Sequence, residues 1–249
     1  MKTIGVLILC VLALWLPQCH PHDAAAKPQK SVAEYIHTDT LHVEARNYFQ
    51  YALRPNSYFD FSVSRPEKTD TTVLLCVAAA FTRLDNGGID GLFAVNGKVQ
   101  GNVNKRLGGG CLLISDKHPF ISGTRDGSLL SKGWIDSNIT SQNADYFQQL
   151  QLVRNAQALR YGKDVSLFQR RALVTFAYRQ PAIVESAGEI TLQQFADDLA
   201  QLGAKDALYL DMGGWDEGWI RNSSGQCKRI GLICSQTNRQ SNWLVIVRK

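Results

Sequence analysis

The sequence has no block of basic residues. Its 27 Lys and Arg stand against 22 Asp and Glu, so 249 residues carry a net charge of only +5, too mild and too dispersed for a nucleic-acid surface. It has no CxxC pair, and His37, His42 and His118 stand at no ligand spacing, which argues against a zinc site. It has no GxSxG motif and no Ser or Cys with an evident His partner, so a nucleophilic hydrolase is unsupported. After residue 16 no apolar run reaches the roughly 20 residues that a spanning helix needs. No internal repeat is present and Pro is scarce, at 7 residues. What remains is 45% apolar and 20% charged, the composition of a globular chain. A chain of this length buries about 70% of its unfolded surface and needs no metal or disulfide staple.

The first residues are of a different kind. Lys2 precedes an apolar stretch from Ile4 to Leu16, which Pro17 ends; this is the outline of a signal peptide. Two processing sites compete. Ala24-Ala25-Ala26 suits a peptidase that wants small side chains, whereas Leu16-Pro17-Gln18-Cys19 outlines a bacterial lipoprotein site, with Gln18 a poor fit. Acylation at Cys19 would be the chain's one link to a membrane, and a single acyl chain anchors only marginally. The expected organisation is a leader over 1–26, a polar tether over 27–33 and one domain over 34–249, exported to the periplasm or secreted. Lys2 and Asp23 cancel, so removing the leader leaves the charge at +5.

Four cysteines lie beyond the leader, in a compartment where disulfides persist. Cys227 and Cys234 flank six residues, a spacing that allows a bridge between two nearby strands, although connectivity is not readable from sequence. Cys76, inside Val73–Ala80, reads as a buried thiol. Strand signals recur at 59–63, 72–80, 91–95, 98–100, 111–114, 171–178, 182–184, 207–210, 219–220, 229–233 and 243–247. Asn96-Gly97 is a type I′ hairpin turn signal. One helix is clear over 190–203: Thr191 and Gln194 form a capping box, Leu192, Phe195, Leu199 and Leu202 make one apolar stripe, and Gly203 ends it. The fold expected is α+β: a single β-rich domain with a mixed sheet and a few helices.

Chemistry points to the end of the 207–210 strand. There Asp211-Met-Gly213-Gly214-Trp215-Asp216-Glu217-Gly218 places a carboxylate at a sheet edge, beside glycines that let backbone approach a ligand. A second reading stands beside it: Asp211 caps a turn and the glycines merely permit its dihedrals.

The run from Ile190 to Gly214 resembles the C-terminal motif of the phosphodiester glycosidase family: a Thr-Leu start, an amphipathic helix, a Leu-Gly-Ala turn, then an apolar strand ending in Asp-Gly-Gly-Gly-Ser. Thr191-Leu192, Leu202-Gly203-Ala204, Ala207-Leu208, Leu210-Asp211 and Gly213-Gly214 follow that order. Upstream, Gly91–Lys98 resembles the family's Asn-Gly-Lys hairpin, Arg170-Arg171-Ala172 the arginine opening its next strand, and Leu152–Lys163, loosely, its Gln-Ser-Gly-Pro region. The similarity spans about Val73 to Gly214. It departs where the family has Asn-Gly-Gly-Phe-Phe and this chain has Ala78-Ala79-Ala80-Phe81-Thr82, and where Met212 and Trp215 replace Gly and Ser.

The resemblance implies an exported hydrolase that cleaves a sugar-1-phosphodiester to sugar and phosphomonoester, acting on a carbohydrate or phosphoglycan substrate. It names no cofactor. Asp211 is the candidate carboxylate at the reacting carbon, and Asp216 or Glu217 a candidate acid or base for water, or else a solvated loop charge. Arg171 is the candidate phosphate ligand, since a guanidinium grips two oxygens at once; Arg154 and Gln157 are weaker candidates for the same pocket, and each Arg has the alternative reading of a plain surface residue on a basic protein, which is the stronger of the two for Arg154. Trp215 and Trp219 offer a face for a sugar or pack in a hairpin. Asn86-Gly87-Gly88 could replace the missing Asn-Gly-Gly by a shifted loop. The competing class is a carbohydrate- or envelope-binding module without turnover. An enzyme should converge Asp211, Arg171 and the 215–217 loop in one pocket, whereas a binder could leave Asp211 buried and paired.

Overall fold

Alternating and continuous apolar runs become strands that close around one another in two sheets. The computed structural model describes residues 32–113, 118–124, 130–162 and 165–249; the expected leader, the Cys19 anchor site and most of the tether lie outside them. The strands are β1 (Ile36–Val43), β2 (Arg46–Leu53), β3 (Ser57–Ser62), β4 (Val73–Ala78), β5 (Phe93–Val95), β6 (Lys98–Gln100), β7 (Gly108–Leu113), β8 (Pro119–Gly123), β9 (Asp145–Arg154), β10 (Gln157–Ala158), β11 (Arg171–Phe176), β12 (Ala182–Ser186), β13 (Ala204–Leu210), β14 (Gly218–Arg221), β15 (Cys227–Ile230) and β16 (Trp243–Arg248). The larger sheet runs β1-β2-β12-β11-β13-β9-β5-β6, with β7, β8 and β10 attached beside β9; the smaller runs β15-β14-β4-β16-β3.

Every pairing among these strands is antiparallel. The expected mixed sheet is therefore corrected to two antiparallel sheets, and the domain is mostly β rather than balanced α+β. The reason is in the connections. Six of the fourteen pairings, β1 with β2, β5 with β6, β7 with β8, β9 with β10, β11 with β12 and β14 with β15, join strands consecutive in the chain through loops too short for the helical crossover that parallel neighbours need.

The two sheets share a core. Phe59, Phe61, Leu75, Val77, Leu244 and Ile246 of the smaller meet Phe147, Leu173, Ile183, Leu208 and Leu210 of the larger. On the opposite face of the larger sheet, Ala172, Val174, Val184 and Tyr209 meet Leu192, Phe195 and Leu199 of Leu192–Gln201, the one long helix among the described residues. Burial on both faces explains why the central strands read as nearly unbroken apolar runs. The helix begins as expected, with the Thr191 side chain accepting from the Gln194 N–H at 3.1 Å. It is latched to β2 by Asp198, which is buried and accepts from Arg46 Nε (2.6 Å) and Nη2 (2.9 Å) and from the Tyr48 hydroxyl. The Asn96-Gly97 turn has φ of 49° and 74°, the left-handed pair of a type I′ turn.

The fold yields a graded stability test. Phe195→Ala, which empties a fully buried ring site between helix and sheet, is expected to cost about 3–5 kcal/mol. Thr191→Ala, which removes only the cap, should cost about 1 kcal/mol. Urea unfolding midpoints check the order.

Candidate active site

Asp211 follows directly on the last residue of β13 and is only 4% exposed. Its backbone N–H donates to the Ala79 carbonyl (3.0 Å), which ties it to the chain just past β4, across the junction of the two sheets. Its carboxylate accepts three hydrogen bonds: Oδ1 from the Gly213 N–H (2.9 Å), Oδ2 from the Thr82 N–H (3.1 Å) and from the Trp215 indole Nε1 (3.1 Å). A Cβ at position 213 would lie 3.3 Å from both Asp211 Oδ1 and the Trp215 ring, so any larger residue there must push the carboxylate or the indole aside by a few tenths of an ångström. Gly214 faces open space, and no comparable contact constrains it.

The segment Ala78–Thr82, which stands where the family has Asn-Gly-Gly-Phe-Phe, lies against Asp211 and meets it through backbone, the Ala79 carbonyl and the Thr82 N–H, rather than through an Asn side chain. Asn242, fully buried, clamps it: its Oδ1 accepts from the Ala80 N–H (2.7 Å) and its Nδ2 donates to the Ala80 carbonyl (3.0 Å).

A cavity of about 600 Å³ opens beside Asp211, lined by Trp215, Phe81, Thr82 and the loop residues Arg83, Leu84, Asp85 and Asp90. The loop is a small hairpin, closed by Arg83 N–H to Gly88 O (2.7 Å) and Asp90 N–H to Phe81 O (2.8 Å). Arg83 forks onto both Asp85 oxygens (3.2 and 2.7 Å), and these bonds hold the Asp85 carboxyl below its ordinary value. Arg239 spans the cavity's two sides: it sits 5.0 Å over the Trp215 ring and donates to the Leu84 carbonyl at 3.1 Å. Arg83, Asp85, Asp90, Asn242 and Arg239 were not singled out from the sequence. The available signal was the cluster of charges around Asn86-Gly87-Gly88.

Several expected site residues lie elsewhere. Arg171 opens β11 beside Leu210, at the correct end of the sheet, but its side chain is fully buried between two carboxylates. Nε donates to Glu185 Oε2 (2.8 Å), Nη2 lies 2.6 Å from the same oxygen, and Nη1 donates to Asp216 Oδ1 (2.9 Å). Burial alone would lower its pKa; Asp216 and Glu185 outweigh that and hold it charged, above its ordinary value. It lines no opening onto Asp211. Asp216, its partner, is buried with it. Glu217 points to the opposite side, ion-paired with Arg65 and with Lys68 (3.0 Å). Asp216 and Glu217 line a separate cavity of about 290 Å³, with Trp219, Arg229, Cys227 and Cys234.

Arg154 and Gln157 are at the wrong end. Because β9 runs antiparallel to β13, with Val153 opposite Ala207, they fall beside the start of β13, not the end that carries Asp211. Arg154 is instead held by Gln151 Oε1 at 3.1 Å. Asn86 is exposed and bonds its own turn, accepting from the Gly88 N–H at 2.9 Å; its neighbours, not Asn86, line the cavity. Trp219 packs under the smaller sheet with Cys76 and Trp243. The thiols of Cys227 and Cys234 are free. Cys227 approaches the Lys68 carbonyl (3.9 Å), whereas the turn at Gly231, with φ of 74°, carries Cys234 to the Gly213 carbonyl (3.5 Å).

Burial is the largest influence on Asp211 and pushes its carboxyl above the ordinary 3.8; the three N–H donors pull it down, and the charge of Asp216 adds to the rise. The folded state thus holds this proton more tightly than the unfolded chain. The associated stability is fully present below about pH 3.8 and is lost as pH rises through the higher folded pKa. Asp211→Asn is expected to remove that component of the pH slope. It should also cost about 1–3 kcal/mol, because its amide nitrogen would face an N–H donor. Denaturant titrations of both proteins across the acid range check the two effects.

No family model matches the chain, and no curated protein matches it by sequence. Solved structures do. The zebrafish N-acetylglucosamine-1-phosphodiester alpha-N-acetylglucosaminidase catalytic domain, auto-inhibited by its pro-peptide, is similar with a TM-score of 0.58 at 11% identity, over 86% of this chain and 82% of that one. A hypothetical protein from Synechocystis is similar with a TM-score of 0.58 at 11% identity, over 86% of this chain and 62% of that one. At this identity the likeness is one of fold: the chain has the β-rich architecture of a phosphodiester glycosidase catalytic domain.

Proposed function

We propose that the chain is an exported hydrolase that cleaves a sugar-1-phosphodiester of a glycan or glycoconjugate into free sugar and phosphomonoester. The observation that carries this reading is Asp211: a nearly buried carboxylate, raised in pKa, at the margin of a cavity of about 600 Å³. The fold likeness to a phosphodiester glycosidase domain supports it. In this reading the bond from the anomeric carbon to the phosphate oxygen breaks, and the phosphate leaves with the electron pair. Water adds its hydroxyl to the carbon. A phosphate is already a good leaving group, so strong acid assistance is not needed, whereas the positive charge growing on the sugar must be offset. Asp211 offsets it. Arg83, on the cavity wall, takes the phosphate-holding role that the sequence assigned to Arg171. Asp90 receives the proton of the attacking water, and Trp215 bounds the sugar's place. Export rests on the apolar leader at 4–16, with Cys19 as the site of any lipid anchor.

One observation favours a second reading, a carbohydrate-binding module without turnover. Asp211 has all three of its donors within the protein, and Arg171, Asp216 and Glu217 do not converge on it. Assay of the purified protein against a panel of sugar-1-phosphodiesters separates the two. The hydrolase reading expects turnover that Asp211→Asn lowers by about 10²–10³-fold. Undiminished turnover in that variant removes Asp211 from the mechanism, and sugar-phosphate binding with no turnover of any panel member establishes the binder.

A further inference from the structure

A second cavity, of about 350 Å³, adjoins the one at Asp211 and shares Arg83 and Asp90 with it. The two differ in charge. Around Asp211 stand three carboxylates, Asp85, Asp90 and Asp211, and one cation, Arg83. Around the second stand Lys105 and Arg106, together with Arg83, whose charge is paired with Asp85, and one carboxylate, Asp90. Asp90 is itself engaged, with both oxygens 3.0 Å from Asn104 Nδ2. Lys105 and Arg106 are exposed, and their side chains make no ion pair with any described residue. Their charge is therefore available to a ligand.

The loop that carries them is held in place. Fully buried Gln148, on β9, accepts from the Asn104 N–H (2.9 Å) and from the Leu92 N–H (2.8 Å), and its amide donates back to the Asn104 carbonyl (3.3 Å). Asn104 Oδ1 accepts from the Arg106 N–H (3.0 Å), and the Leu107 N–H donates to the Asn104 carbonyl (3.2 Å). Two neighbouring cations on a pinned loop lose less freedom on binding than cations on a loose one.

We infer that this second cavity binds a negatively charged group, a phosphate or a carboxylate, carried by the substrate beyond the scissile phosphate. The inference rests on the hydrolase reading for the bond that is cut and adds the chemistry of the part that leaves. Acid at the reaction end suits a sugar gaining positive charge; base at the far end suits an anion. Arg83, on the shared wall, would serve the scissile phosphate between them.

The test uses the full protein, Lys105→Glu/Arg106→Glu and the milder Lys105→Gln/Arg106→Gln. Two sugar-1-phosphodiesters serve as substrates, one bearing a methyl group and one a phosphoethyl group beyond the scissile phosphate. Inorganic tripolyphosphate serves as a binding probe in calorimetry. The ratio of kcat/KM for the phosphoethyl over the methyl diester is expected to fall at least tenfold in the Glu variant and less in the Gln variant. Tripolyphosphate affinity should fall at least fivefold, with a smaller difference at high salt. A ratio unchanged by both substitutions overturns the inference and leaves the hydrolase reading intact. If neither diester is cleaved yet tripolyphosphate binding still depends on Lys105 and Arg106, the hydrolase reading falls and the anion cavity stands.

Discussion

A cation in the core sets the arrangement of the site. Arg171 is fully buried with Glu185 of the neighbouring strand and Asp216 of the loop that passes from the larger sheet to the smaller. Such a cluster adds little net stability over an apolar core, but removing one member leaves charge stranded in a low-dielectric medium and costs about 3–5 kcal/mol. Its effect is to fix geometry. With Asp216 held inward, the 211–217 loop turns so that Trp215 returns its indole N–H to Asp211. Gly231 accommodates the cluster, since a side chain there would lie 2.3 Å from Arg171 Nη2.

The same loop divides charge between two environments. On its inner side, paired charges are buried and neutralise one another. On its outer side, a single carboxylate is desolvated without a cation and is held by three N–H donors. Hydrogen bonds from neutral groups satisfy the oxygens of Asp211 but do not cancel its charge, and its carboxyl is therefore pushed up. Two acids five residues apart thus have different chemistry. The difference comes from which side of the sheet junction each one faces.

Legibility varied with how far each interaction reached along the chain. The N-cap at Thr191, the Asn96-Gly97 turn and the apolar runs of β4, β11, β13 and β16 are all readable, because each depends on residues a few positions apart. The strand β9 was not readable. Its Gln148, Gln149 and Gln151 break any apolar pattern, yet all three are buried, and Gln148 and Gln149 bond backbone groups of distant segments. The hairpin of β1 and β2 is likewise illegible: β1 is buried only at its two ends, β2 is buried continuously over its last four residues, and aromatic residues stand on both faces of β2, where Phe49 is 40% exposed.

The sequence by itself determined the position of Asp211: a buried strand that ends in a carboxylate, with glycines two and three residues on, puts an acid at the end of the strand. It also determined the helix that backs this strand. Only the tertiary structure decided which other residues join Asp211. Pairing antiparallel to β13 sent Arg154 and Gln157 to the far end of the sheet, and two carboxylates enclosed Arg171. The 81–90 hairpin brought Arg83, Asp85 and Asp90 to the cavity. Side-chain partners across sheets are chosen by desolvation and charge pairing between segments distant in the chain, and no local pattern records that choice.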